Sequence, residues 1–156
     1  MSYHPLSIAN YFIYKGGEDN VDVDHLKLQK LVYIAHGWCL AITGEPLISE
    51  AVRAWQYGPV ITSLWREFKD YGSREIRSPA RPEVFEAPSR KDARSRDILR
   101  TVWEKYGSLS GVQLSNLTHQ AGTPWWSARK RGLSSNPKIR DKEIRLHFLE
   151  LARQGQ

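Results

Sequence analysis

"LKLQKLVYIAHGWCLAITG", Leu26 to Gly44, carries the clearest periodicity in the chain and decides its fold class. Leu28, Leu31, Val32, Ala35, Cys39 and Ile42 recur at helical spacing, which sets an apolar stripe toward a core. Gly44 stands where a left-handed C-cap belongs. Tyr33, Ile34 and Trp38 lie off that stripe, so the helix is apolar on more than one side. Such a helix is central to its domain. Cys39 then reads as a core residue rather than a nucleophile. It is the single cysteine, so no internal disulfide can form.

The neighbouring segments extend the helical reading. Upstream, Leu6, Ala9, Phe12 and Ile13 share a face of a short helix from Leu6 to Tyr14, which Gly16-Gly17 should end. Downstream the period changes. Ile48, Glu50, Val52, Ala54 and Gln56 alternate with Ser49, Ala51, Arg53, Trp55 and Tyr57, which predicts extended chain before a turn at Gly58-Pro59. Pro59 should then open a helix carrying Ile61, Leu64, Trp65 and Phe68, with Gly72 as its stop. Residues 73–88 hold three prolines and little periodicity, which predicts the main surface loop.

Ser89 and Asp92 give a capping-box-like start to a helix with Leu99, Val102, Trp103 and Tyr106 on its apolar side, closed by Gly107. Ser110 and Gln113 repeat that start before Leu114, Leu117 and Thr118, with Gly122 as the stop. Thr123-Pro124 pairs an N-cap with an N1 proline, which places a short helix over Trp125 to Lys130, ended by Gly132. Asp141 should cap a last helix carrying Ile144, Phe148 and Leu151. The expectation is a single, mainly α-helical domain over residues 1–156, with a small β element, a hairpin or short strands, after the second helix.

The formal charge of +6 is uneven. Residues 1–70 hold six Lys/Arg against eight Asp/Glu, and residues 71–156 hold seventeen against nine. The basic second half suits an anionic partner, either nucleic acid or an acidic protein surface, or else is a solvated face that aids solubility. No apolar run approaches the ~20 residues of a membrane span, and the N-terminus lacks the features of a signal peptide. Cytoplasmic residence without membrane association is the expectation.

Catalysis finds little support. His4, His25, His36, His119 and His147 form no H-E-x-x-H arrangement, and there are no cysteine pairs for a zinc site. Neither a phosphate-binding glycine loop nor a G-x-S-x-G elbow occurs. No catalytic residue, metal or cofactor is expected. Nucleic-acid binding has more to recommend it, because Ser110 to Gly132 outlines helix, turn, helix and ends in Arg129-Lys130-Arg131. A recognition helix, however, reads bases near its N-terminus, and that end here is Pro124-Trp125-Trp126. The basic cluster at the other end also complements the helix dipole. Protein recognition remains: six tryptophans exceed what a small core needs, and Trp, Tyr and Arg dominate interface hot spots.

Two blocks resemble a known family. Lys27-Leu28-Gln29-Lys30-Leu31, Tyr33, Trp38, Leu47, Ala54-Trp55-Gln56-Tyr57-Gly58-Pro59 and Leu64 resemble the signature of the Panacea domain. That family comprises SocA-like antitoxins and phage-associated GepA-type proteins. Leu114, Ser115, Leu117, Thr118, His119, Gly122, Pro124 and Trp125 are similar to its second block, while residues 73–100 match only loosely. The resemblance implies a compact, mostly helical domain that binds a cognate protein toxin directly and blocks it. In some members the antitoxin resembles an adaptor handing the toxin to a protease, and others are carried by prophages. Many members bear an added DNA-binding segment. This chain starts almost directly at the domain, which weighs against operator binding.

On this reading Leu28, Gln29, Lys30, Leu31, Tyr33, Trp38, Gly58, Pro59, Leu114, Leu117, Thr118, His119, Pro124 and Trp125 are framework. Arg53, Trp55, Tyr57, Trp126, Arg129, Lys130 and Arg131 are the candidates for binding the partner. Trp126 and the three basic residues after it are expected to be exposed.

Overall fold

The computed structural model describes residues 2–132 and 135–155. In chain order the elements are α1 (Pro5–Asp19), α2 (His25–Thr43), β1 (Val52–Trp55), β2 (Gly58–Val60) and α3 (Thr62–Phe68), with a 3-10 turn at Lys69–Tyr71. They continue as α4 (Ala93–Tyr106), α5 (Gly111–Thr118), α6 (Pro124–Arg131), β3 (Lys138–Ile139) and α7 (Asp141–Arg153). The architecture is mainly α with one small antiparallel sheet in the order β2-β1-β3.

Helix α2 is the axis. Asp24 caps it by accepting from the Lys27 N–H at 2.8 Å, and Gly44 closes it with φ 77°. Helices α1, α3, α4, α5 and α7 and strand β2 all pack against it. Leu28, Leu31, Val32, Ala35 and Cys39 are buried as the stripe predicts, together with Tyr33 and Ile34 from the other side. Ile42 departs from that pattern and is 63% exposed, although Leu40, two residues before it on another face, is still buried.

The glycine pair in α1 does not stop the helix, which runs to Asp19 and closes at Asn20 with φ 54° and ψ 46°. A Cβ on Gly16 would lie 2.8 Å from Val23 Cγ2 and 2.9 Å from the Val21 carbonyl. Gly16 therefore serves close packing of the following chain, not termination.

Strands β1 and β2 form a hairpin with Ala54 opposite Pro59 and Trp55 opposite Gly58. The turn is Gln56-Tyr57, two residues earlier than predicted, and Gly58 belongs to the strand with φ 127°. Pro59 does not open a helix. It lies in the edge strand, where a missing N–H is tolerated, and α3 starts at Thr62. Strand β3, two residues long, pairs with β1 from the far end of the chain and had no sequence signal.

The caps of α5 and α6 follow the sequence, while α4 starts three residues later than the Ser89–Asp92 pair suggests, with Asp92 itself as N-cap. Asp92 accepts from Ser95 N–H, Ser110 and Gln113 form a reciprocal capping box, and Thr123 caps α6 ahead of Pro124. Helix α5 ends at Thr118, before Gly122, and Leu117 is 45% exposed. Asp141 is the first residue of α7, with Arg140 as N-cap, and its carboxylate is used elsewhere. Between Gly72 and Asp92 there is no helix or strand, yet Ile76 and Ala80 are buried. Buried Asn10 holds that segment by donating to the Ala80 and Phe85 carbonyls and accepting from Ala80 N–H.

Among the described residues, no helix is long and apolar enough to cross a membrane.

Candidate functional site

An extended hairpin exposes polar backbone, and burying one face of it requires partners for those groups. Here side chains from three helices supply them. From α2, the Gln29 amide brackets Ile61: its Nε2 donates to the Ile61 carbonyl at 3.1 Å, and its Oε1 accepts the Ile61 N–H at 2.9 Å. From the next residue, Lys30 Nζ donates to the Pro59 carbonyl at 2.8 Å. From α5, Ser115 Oγ donates to the Tyr57 carbonyl at 3.3 Å. From α6, Trp125 Nε1 donates to the Trp55 carbonyl at 2.6 Å and Arg129 Nη1 to the Ala54 carbonyl at 3.3 Å. The backbone from 54 to 61 is thus bolted to the helical body along its whole length.

The electrostatics of this arrangement are unusual. Lys30 is 1% exposed, and burial lowers its ammonium pKa from 10.5 to about 8. Among the described residues no carboxylate forms an ion pair with it. Gly58 makes room for it, since a Cβ there would stand 3.0 Å from Lys30 Nζ. Lys27, also buried, donates to the Gly107 carbonyl and anchors the corner between α4 and α5. Burial lowers its pKa as well. Sequence reading treats these lysines only as part of a motif. The available signal is that polar residues interrupt a helix apolar on every side, which obliges each to find a buried partner.

The pinned hairpin presents a particular outer surface. Tyr57 projects from the turn and is 74% exposed. Arg53 and Trp55 alternate with buried Val52 and Ala54 on β1 and are half-exposed. Arg53 Nη1 reaches the Asn136 carbonyl at 3.4 Å. Trp55 packs against Trp65 of α3 with ring centroids 5.3 Å apart, and Lys69 Nζ covers Trp65 at 4.9 Å. The sequence places Trp65 only on the apolar face of a helix and does not single out Lys69.

The α6 candidates divide. Lys130 is exposed, but Trp126 is half-buried rather than exposed, with Lys130 Nζ 4.1 Å from its ring centroid. Arg129 is half-buried rather than exposed, because it bonds both β1 and the Ser135 carbonyl at 2.8 Å. Arg131 is exposed but pairs with Glu143 of α7 at 2.6 Å. The structure thus brings Arg53, Trp55 and Tyr57 together on the hairpin. It uses Arg129 and Arg131 mainly to fasten α6.

The framework residues explain the rest. Trp38 Nε1 donates to Tyr106 Oη at 3.2 Å, and the Thr118 hydroxyl donates back to Leu114 O at 3.0 Å. His119 Nδ1 faces the Ser115 carbonyl, and its ring meets Trp125 edge-on at 5.3 Å. That Nδ1 carries the proton and donates it to backbone, so His119 is not poised as a base toward the neighbouring Ser115 hydroxyl. His36 accepts the Leu47 N–H at Nδ1 and donates from Nε2 to Asp141 at 3.0 Å, joining α2 to α7. Among the described residues no three His, Cys, Asp or Glu side chains converge as metal ligands.

Comparison with known proteins adds an independent result. The family model described as "Antitoxin SocA-like, Panacea domain" matches residues 28–126. The Antitoxin SocA of Caulobacter vibrioides is 30% identical over 126 residues, which cover 76% of this chain and 66% of that protein. The matched region therefore spans just under two thirds of the relative's length. No solved structure matches the chain.

Proposed function

The chain belongs to the SocA-like antitoxin family with a Panacea domain, and from that premise we propose that it neutralises a cognate protein toxin by binding it directly. The observation that supports this reading is the hairpin. Its backbone is held by three helices while Tyr57, Trp55 and Arg53 face outward, so aromatic anchors are presented on a rigid element. A preorganised anchor loses little freedom on binding, and truncating such a hot spot commonly costs ~2–4 kcal/mol. Trp126 and Lys130 extend the candidate surface from α6. On this reading residues 1–156 act as one non-enzymatic, cytoplasmic domain, and blocking requires only that part of the toxin be covered. Whether the toxin is also handed to a protease is a separate step that this surface does not require.

Nucleic-acid binding is the rival reading. It loses ground because Arg129 and Arg131 direct their donors into the chain, so that among the described residues Lys130 is the cation of the α6 cluster without such a partner.

The test is growth rescue on co-expression with the neighbouring toxin gene, run beside a thermal melt for each variant. Arg53→Ala, Tyr57→Ala and Trp126→Ala should lose rescue with melting close to wild type. Full rescue by all three would remove the hairpin as the interface. Duplex binding that persists at about 150–200 mM salt, where phosphate contacts are strongly weakened, would favour the nucleic-acid reading.

A further inference from the structure

On the C-terminal half of α2, away from the pinned hairpin, a groove of about 660 Å³ runs between α2 and the outer face of α4. Its floor is Trp38, Ile98, Val102 and Tyr106, and Ile42 forms one lip. Ile42 continues the stripe that buries Leu31, Ala35 and Cys39, so an apolar face made for packing runs on past the end of the packing. Two cations from α4 border this face. Lys105 Nζ lies over the rings of Trp38 and Tyr106 at 5.2 and 5.4 Å, and Arg94 stands at the other end. Among the described residues neither forms an ion pair, whereas Asp97 between them is paired with Arg100 at 2.9 Å. Arg94 and Lys105 are eleven helical steps apart, or roughly 16 Å at the α-helical rise.

We propose that this groove is the docking site for an amphipathic, acidic helix of a partner protein, with its apolar stripe on Trp38, Ile42 and Val102 and carboxylates at Arg94 and Lys105. Charge and spacing select that occupant. An anionic amphiphile has one headgroup and answers one cation, leaving the other unmet. A second copy docking through the same groove by a two-fold axis sets Arg94 of one chain against Lys105 of the other, which repels. A helix with apolar residues at i, i+3, i+4 and i+7, flanked by acids about three turns apart, satisfies floor and rim together. The groove shares no residue with the hairpin surface, so this inference stands without the toxin reading.

The experiment titrates the full-length protein against a fluorescein-labelled synthetic helical peptide carrying that leucine stripe, with Glu at two positions eleven residues apart. A twin peptide has Lys at both positions. The Glu peptide should bind saturably and shift the Trp38 indole N–H resonance. Ile42→Glu and Lys105→Glu, both at exposed positions, should weaken it by roughly tenfold or more. The double variant Arg94→Glu/Lys105→Glu should reverse the preference and take the Lys peptide, while Tyr57→Ala should leave binding unchanged. Equal binding of the two peptides, or no saturable binding up to about 1 mM, overturns the proposal. So does a concentration-dependent dimer in sedimentation velocity that Ile42→Glu abolishes, since the occupant would then be a second copy.

Discussion

The two halves of α2 handle polarity in opposite ways. The first half buries Lys27, Gln29 and Lys30, while the last turn leaves Ile42 in water. Burial therefore follows the availability of a partner rather than residue type. Backbone carbonyls at Gly107, Pro59 and Ile61 await the polar side chains, whereas the described residues leave the isoleucine 63% exposed. The first half is finished within the molecule, and the second ends in an open groove.

The largest expected effect lies where both halves share one apolar seam. Leu31 is fully buried beside Lys30. Leu31→Ala should cost ~2–5 kcal/mol through lost burial and a cavity. Urea denaturation measures this, and a change of only a few tenths would mean that α2 is not the axis of the core.

Gln29→Ala comes next. It strands the N–H of buried Ile61, at ~1–3 kcal/mol for an unsatisfied buried group, while the Ile61 carbonyl keeps the Leu64 and Trp65 N–H groups. The expected signature is local: amide exchange at Ile61 should accelerate more than exchange in α4. Uniform acceleration would show that the glutamine supports the whole fold and not the hairpin in particular.

The same contrast explains what was legible beforehand. Periodicity and caps depend on neighbours in sequence, so α2, the Ser110–Gln113 capping box and the Thr123-Pro124 start of α6 could be read directly. The hairpin turn lies two residues before the predicted place because Gly58 and Pro59 look like turn residues. Gly58 is glycine because Lys30 Nζ approaches it and its φ is positive, a constraint from a helix nearly thirty residues away. Strand β3 pairs across more than eighty residues and leaves no local trace. The candidate site was half visible: Arg53, Trp55 and Tyr57 could be named from alternation. That Arg129 and Arg131 would be engaged inside the chain depended on Ser135 and Glu143 arriving beside them.

A smaller effect tests the buried charge. Lys30 has a folded pKa of about 8 against 10.5 in the open chain. Between these values the unfolded chain binds more protons, so stability should rise with pH, by roughly 1–2 kcal/mol from about pH 8 to 9.5. Lys27, shifted the same way, adds to the slope, and Cys39, whose burial raises its thiol pKa so that the unfolded thiol ionises first, subtracts from it. The window avoids His25 and His147, whose lowered pKa values act below it. It also avoids Tyr3, raised to about 12, and Tyr33, also raised, which lower stability only as unfolded tyrosine ionises near pH 10. Lys30→Met should flatten the rise. A slope that survives the substitution would assign the titration to another group and remove the charged half of the comparison.

The smallest effect is the most discriminating for the other half. Ile42 sits on the same stripe as Cys39, so a reading from sequence alone makes Ile42→Ser a core substitution. The structure makes it a surface one, since the side chain is 63% exposed and its apolar area stays largely in water in the isolated protein. The expected change in stability is within about 0.5 kcal/mol of wild type, as for surface substitutions in general. Denaturation midpoints for Ile42→Ser and Leu31→Ala, measured side by side, decide between the readings. A penalty at Ile42 approaching that at Leu31 would mean that the groove is closed in solution, by the chain itself or by a second copy. Without such a penalty, Ile42 contributes little to folding, and an isoleucine there is left to be explained by what docks on it.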